Sequence, residues 1–185
     1  MGSKQSTESI VVMLTNAYPY TDKELFPENE LPYLLKYFKK IIIIPLSIQG
    51  EARPVPDNVE VLSHFAFENS KKSFCFKLKK TFSGLRCSEF YCEMYRNPKI
   101  VRNRRYFIHH LGICGLSYRG YLFLKNLLKK QPELQNALFY SYWLHAHAAI
   151  PALLKEKKYP SLQLISRAHG YDIYPRDYFP PFYSA

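Results

Sequence analysis

Two short runs of β-branched residues, 10–14 and 41–45, constrain this chain more than any other feature. Each is apolar at successive positions rather than at every second one. A strand built from either must therefore be covered on both faces, as in a parallel sheet between helical layers. Between them, residues 27–38 read as a helix. Leu31, Leu34, Leu35 and Phe38 recur at three- and four-residue spacing, Pro27 fits the first turn, and Pro32 lies near the start, where a missing N–H does least harm. Residues 59–62, 137–140 and 162–168 read as three further strands and 147–157 as a helix, with Pro151 tolerable only if the first turn begins close before it. Residues 70–130 read as mostly helical, with breaks expected near Gly84, near Pro98 and at the Gly112–Gly115 pair. The alternation predicts an α/β fold with a mostly parallel sheet flanked by helices, in a single domain over 1–185.

A chain of 185 residues that is 47% hydrophobic has enough apolar material for a core. It carries 16 Tyr and 13 Phe against one Trp. Such rings pack on the apolar faces of sugars, or they fill the core and its rim. The net charge of +11 is uneven, because residues 71–105 hold eleven Lys and Arg against only Glu89 and Glu93. That density attracts anionic lipid, diphosphate or nucleic acid, unless it is a solvated face with no partner. Phe74, Phe76, Leu78 and Phe82 sit among these lysines, a mixture found in interfacial membrane-binding segments and also in helices that turn their aromatics inward. Lys77, Lys79, Lys80, Arg102, Arg104 and Arg105 are the expected membrane-surface residues. The opening residues lack the apolar core of a signal peptide, and Cys75, Cys87, Cys92 and Cys114 form no Cys-x-x-Cys pair. A reduced, cytoplasmic setting is expected, with the thiols as small apolar fillers. No apolar run approaches the roughly 20 residues that span a bilayer.

The sequence excludes several chemistries. It has no Gly-x-Gly-x-x-Gly after the first strand, no Gly-Lys-Ser/Thr phosphate loop and no Gly-x-Ser-x-Gly elbow, so dinucleotide binding, P-loop chemistry and serine hydrolysis lack support. His145 and His147 are two apart, and His109 and His110 are adjacent. Neither spacing puts two ligands on one helix face, so no metal is expected. His145 instead falls at the carboxyl end of the fourth strand. The strongest local signal is the strand that runs into Arg167-Ala-His-Gly170. Gly170 allows a turn with positive φ and a close ligand approach. His169 and Asp172 then project at the carboxyl edge of the sheet, where open α/β folds bind ligands. In the alternative reading, Arg167 and Asp172 form a structural pair that His169 caps.

These residues carry a resemblance. Phe139-Tyr-Ser-Tyr-Trp-Leu144, a helix, and Ser166-Arg-Ala-His-Gly-Tyr-Asp-Ile-Tyr174 resemble the N-terminal domain of glycosyltransferase family 4, particularly its bacterial surface-polysaccharide enzymes. Tyr18-Pro-Tyr20, Phe26, the Glu30-Leu31 helix and Arg53-Pro-Val-Pro56 follow in the family's order, whereas the basic middle matches little. The resemblance implies the Rossmann-like N-terminal half of a GT-B fold, with 70–130 as a basic helical insertion. It implies a retaining, metal-independent hexosyltransferase without a cofactor, acting on a glycan or lipid-linked glycan, and the basic segment is expected to hold it at the inner membrane face. The nucleotide-sugar would be held by a C-terminal donor domain that this chain lacks, so the chain alone is expected to be inactive. His169 maps to the cleft histidine beside the transferred sugar, and Gly170, Asp172, Arg167, His145, Tyr18 and Lys23 are the other expected substrate contacts. Where the family often has Gly-Glu after the first strand, this chain has Lys23-Glu24, and Lys23 is positioned to meet an acceptor phosphate. The alternative reading is a non-catalytic module whose basic segment binds anionic lipid or nucleic acid. Of these two ligands, nucleic acid is the less expected.

Overall fold

The computed structural model describes residues 9–71 and 73–169. Five strands, β1 (Ile10–Thr15), β2 (Lys40–Pro45), β3 (Val59–Val61), β4 (Leu138–Ser141) and β5 (Gln163–Ser166), form one sheet in the order β3-β2-β1-β4-β5. Every pairing is parallel, with Val11 opposite Ile41 on one side of β1 and Val12 opposite Phe139 on the other. The expected α/β architecture is therefore present, with a Rossmann-like strand order.

The apolar runs are read out by the pleat. Val12, Leu14, Ile42, Ile44 and Phe139 point to one face, and Val11, Met13, Ile41, Ile43 and Tyr140 to the other. The first face is covered by α6 (Arg104–Lys130) and α7 (Ala146–Lys157), which add Leu124, Leu128, Ile150, Leu153 and Leu154. The second face is covered by α1 (Leu25–Leu34), with Leu31 buried and Leu34, Leu35 and Phe38 packed around it. Helices on both faces explain why these strands tolerate no polar alternation.

The lysine-rich segment is part of the body and not an appendage. It folds as α2 (His64–Asn69), α3 (Phe74–Phe82), a 3-10 turn at Ser83–Arg86, α4 (Ser88–Arg96) and α5 (Lys99–Arg102). Cys87 and Phe90 from this segment join Leu111 and Cys114 of α6 in the core.

Several expectations need correction. Residues 112–115 do not interrupt the helix: α6 is continuous over 27 residues, capped by the Asn103 side chain, which accepts from the amides of Arg105 and Tyr106. Tertiary contact decides the matter. A β-carbon on Gly115 would collide with the carbonyl oxygen of Lys80, so the glycine is there to let the α3 backbone close on α6. Helix α1 begins and ends earlier than its spacing predicts, because after Leu34 the chain tightens into i→i+3 bonds at Tyr33–Lys36 and Leu34–Tyr37. Helix α7 starts at Ala146, and Pro151 lies buried well inside it rather than in its first turn. Cys87 and Cys114 are buried fillers as expected, but Cys75 and Cys92 are exposed.

The two glycines of α6 separate packing from propensity. A β-carbon added at Gly112 would have no neighbour within 4 Å. Gly112→Ala is expected to stabilise the protein by up to about 1 kcal/mol through helix propensity. Gly115→Ala is expected to cost about 1–3 kcal/mol by forcing α3 off α6. Urea titrations of the two variants check this, and equal midpoints would refute it.

Candidate functional site

The crossovers from β1 and β4 leave on opposite faces of the sheet, through α1 and α7 respectively. Their carboxyl ends therefore diverge, and the crevice between them is where open α/β sheets bind ligands. Three segments meet there: the loop after β1, the turn after β4 and the residues after β5.

The β1 loop is organised around one carboxylate. Glu24, 6% exposed, accepts from the amides of Asn16 (3.3 Å), Ala17 (2.6 Å) and Tyr18 (2.7 Å), and from the indole Nε1–H of Trp143 (2.7 Å). The Thr15 hydroxyl donates to the Tyr18 carbonyl at 2.8 Å. Arg53 pairs with Glu28, donates to the Glu24 carbonyl at 3.0 Å and lies 5.0 Å from the centre of the Tyr18 ring. Backbone amides clustered after the first strand of such a fold ordinarily suit an anion. Here the chain's own Glu24 takes that position.

After β4, Trp143 is half-buried at the same edge, and Tyr142 beneath it is fully buried in the core under α1. His169 packs on Trp143 with ring centroids 4.3 Å apart and on Tyr142 at 5.5 Å. Its Nε2–H donates to the Tyr142 carbonyl at 3.1 Å, which fixes the plane of the imidazole. Arg167 sits under this wall: its amide donates to Ser141, and its guanidinium pairs with Glu30 and donates to the Tyr142 hydroxyl at 2.9 Å. Tyr140 donates to the other Glu30 oxygen at 3.1 Å. Burial first, and then Glu30, push the Tyr140 hydroxyl well above its ordinary range, so it stays a donor. Burial also raises Tyr142, with Arg167 opposing it. Burial works against the charge of Arg167, but Tyr140 and Glu30 more than offset it, and the guanidinium stays charged. A recess of about 420 Å³ opens beside this network on the α1 face, walled by Tyr33, Leu138, Tyr140 and Ile165.

The expected site residues divide sharply. His169, Arg167 and His145 lie at the edge, with His145 at the N-cap of α7. The Arg167 guanidinium is tied to Glu30 and to the Tyr142 hydroxyl. Tyr18 is corrected: it is 1% exposed and packs in the core under α1, where burial and then Glu28 raise its hydroxyl while Arg53 opposes them. Lys23 is exposed on the β1 loop. Gly170 and Asp172 lie outside the described residues, as does the alternative Arg167–Asp172 pairing. Lys77, Lys79 and Lys80 are on α3, whereas Arg102, Arg104 and Arg105 are at the α5–α6 junction. Among the described residues no group of three or more His, Cys, Asp or Glu could hold a metal ion. Trp143, Glu24 and Glu30 lie in stretches that belong to the resemblance, but it is the tertiary contacts that bring them to the site.

Fold and site together define a Rossmann-like α/β protein with an aromatic, histidine-bearing wall at its topological switch point. No known protein family matches the chain, and neither a curated protein nor a solved structure does.

Removing the Glu24 carboxylate strands the amides of Ala17 and Tyr18 and the indole N–H. Glu24→Ala is expected to lower stability by about 3 kcal/mol and to red-shift Trp143 emission as water reaches the ring. Thermal melts and fluorescence check both. Unchanged values would show that the carboxylate does not hold the loop.

Proposed function

We propose that this chain is the acceptor-side half of a GT-B glycosyltransferase that moves a hexose from a nucleotide-sugar to a glycan, lipid-linked, in surface-polysaccharide synthesis. The observation that carries the reading is the half-buried Trp143–His169 pair at the switch point, backed from beneath by the buried Tyr142. Aromatic faces accept the apolar face of a pyranose, and the edge-on polar groups orient its hydroxyls. His169 borders the crevice where the transferred sugar would lie. Its ring is held on both flat and edge contacts, as a positioning or proton-handling group requires.

The occupied β1 loop supports the acceptor-side assignment. With Glu24 on its amides, the loop has no cradle left for a diphosphate, so the donor has to be bound elsewhere. In this reading a second, donor-binding domain supplies that site and stabilises the departing nucleotide diphosphate by preorganised charge, without a metal. The enzyme works in the cytoplasm, peripherally at the inner membrane face.

Trp143 makes the proposal measurable, because the only indole stands in the site. Titration with neutral oligosaccharides is expected to change its emission saturably, and nucleotide-sugars alone are not. His169→Ala is expected to weaken oligosaccharide binding about tenfold or more, equivalent to some 1.4 kcal/mol, without lowering the melting temperature. The isolated chain is expected to give no turnover with common nucleotide-sugars. Transfer by this chain alone, or saturable binding of nucleotide-sugar with no response to glycans, would overturn the assignment.

A further inference from the structure

Helix α3 has no buried residue. Phe74, Leu78 and Phe82 are 72%, 41% and 56% exposed, and Leu85 in the following turn is 41% exposed. At 100° per residue the three helical positions fall within about 80° of arc, so they form one stripe. The opposite side of the helix faces the body. Phe76 lies under Arg119, whose guanidinium is 4.9 Å from the ring centre, and Ser83 just beyond the helix donates to the Gly115 carbonyl at 3.2 Å. The stripe therefore points outward by construction: the Gly115 contact fixes which side of α3 is packed.

Between α3 and α6 is a cleft of about 470 Å³ that meets the stripe at Phe82; Lys79, Lys80, Arg86 and Arg119 border it together with one carboxylate, Glu68, and with Phe76 on its body side. Arg119 is tied to Asn69 at 2.7 Å and to Glu68 at 4.0 Å. Among the described residues no carboxylate pairs with Lys79, Lys80 or Arg86. Burial first, and then Arg119, hold the Lys80 ammonium below its ordinary range, which is the effect of crowding like charges in a partly dry space. An anion entering the cleft relieves that repulsion.

We propose that α3 is a membrane-docking helix: the Phe74, Leu78, Phe82 and Leu85 side chains enter the interface of an anionic bilayer, and the Lys79, Lys80, Arg86 and Arg119 cleft takes a lipid headgroup phosphate. Charge complementarity and the apolar stripe select this occupant together. A nucleic acid would satisfy the cations, but Leu78 and Leu85 have no π-face on which a base can stack. No helix among the described residues is long and apolar enough to cross a membrane, and docking of this kind needs none. Asn69 and Ser70, just before α3, bond to Leu46 and Ile48 beyond the carboxyl end of β2. The docking helix therefore starts from the same sheet edge as the Trp143 wall, so a phosphate-bearing lipid in the bilayer is presented toward that edge. Docking does not depend on the transferase reading, because it needs no donor and no turnover.

Vesicle flotation with the 185-residue chain tests the proposal. The chain is expected to float with vesicles containing phosphatidylglycerol and not with pure phosphatidylcholine. Phe74→Ser with Leu78→Ser, and separately Lys79→Gln with Arg86→Gln, are each expected to weaken flotation at least tenfold. Both pairs are exposed, so circular dichroism and melting temperature should stay at the values of the parent chain. Inorganic pyrophosphate in solution is expected not to release the chain, because it offers no hydrocarbon. Loss of flotation only on charge removal, release by pyrophosphate, a larger loss from Arg104→Gln with Arg105→Gln, or binding to single-stranded RNA in place of vesicles would each overturn it.

Discussion

The Glu24 carboxylate is the interaction on which the rest of the site depends. It gathers consecutive amides of the loop leaving β1 and reaches across to the indole of Trp143 after β4. Two segments far apart in the chain are thus held by a single buried acceptor. Charge-assisted bonds of this kind are short and strong, and each donor left unmet in a buried place is costly. The loop cannot open toward a phosphate without giving up that acceptor. The orientation of Trp143, and through it the packing of His169, follows from the same carboxylate.

A second constraint acts on the helical layer. Gly115 lets the α3 backbone approach α6 closely, and Gly84 does the same where the 3-10 turn meets Leu111. Close approach turns Phe76 and Ser83 inward and leaves Phe74, Leu78 and Phe82 outward. The basic segment is thereby both part of the core and a surface. Phe90 and Cys87 anchor it inside, while Lys77, Lys79 and the apolar stripe stay in contact with solvent.

The fold is legible in the sequence where burial acts on consecutive residues. The apolar runs around Val12 and Ile42 read correctly because those side chains meet the core, and the spacing of Leu31, Leu34, Leu35 and Phe38 finds the packed face although the helix itself stops at Leu34. The Gly112–Gly115 pair misleads because local propensity argues for a break, whereas the contact with the Lys80 carbonyl is long-range and has no sequence period. At the site, His169 is visible from its place after a strand. Glu24 and Glu30 are not, because their roles are set by partners such as Trp143 and Arg167 that only the tertiary fold brings near. Tyr18 misleads for the same reason: nothing local distinguishes an aromatic that lines a crevice from one that supports a loop from beneath.

The strand order has a consequence for how the molecule comes into being. β1 is central, yet one of its two neighbours, β4, is made only after the whole basic helical segment. During synthesis the Val11–Leu14 edge cannot meet its native partner until Leu138–Ser141 emerges. Such an edge is a template for wrong partners, and pairing across so long a separation is slow. The cations of residues 71–105 are synthesised in this interval, so dense like charge is present before that partner exists. Like charge of that density opposes association between chains.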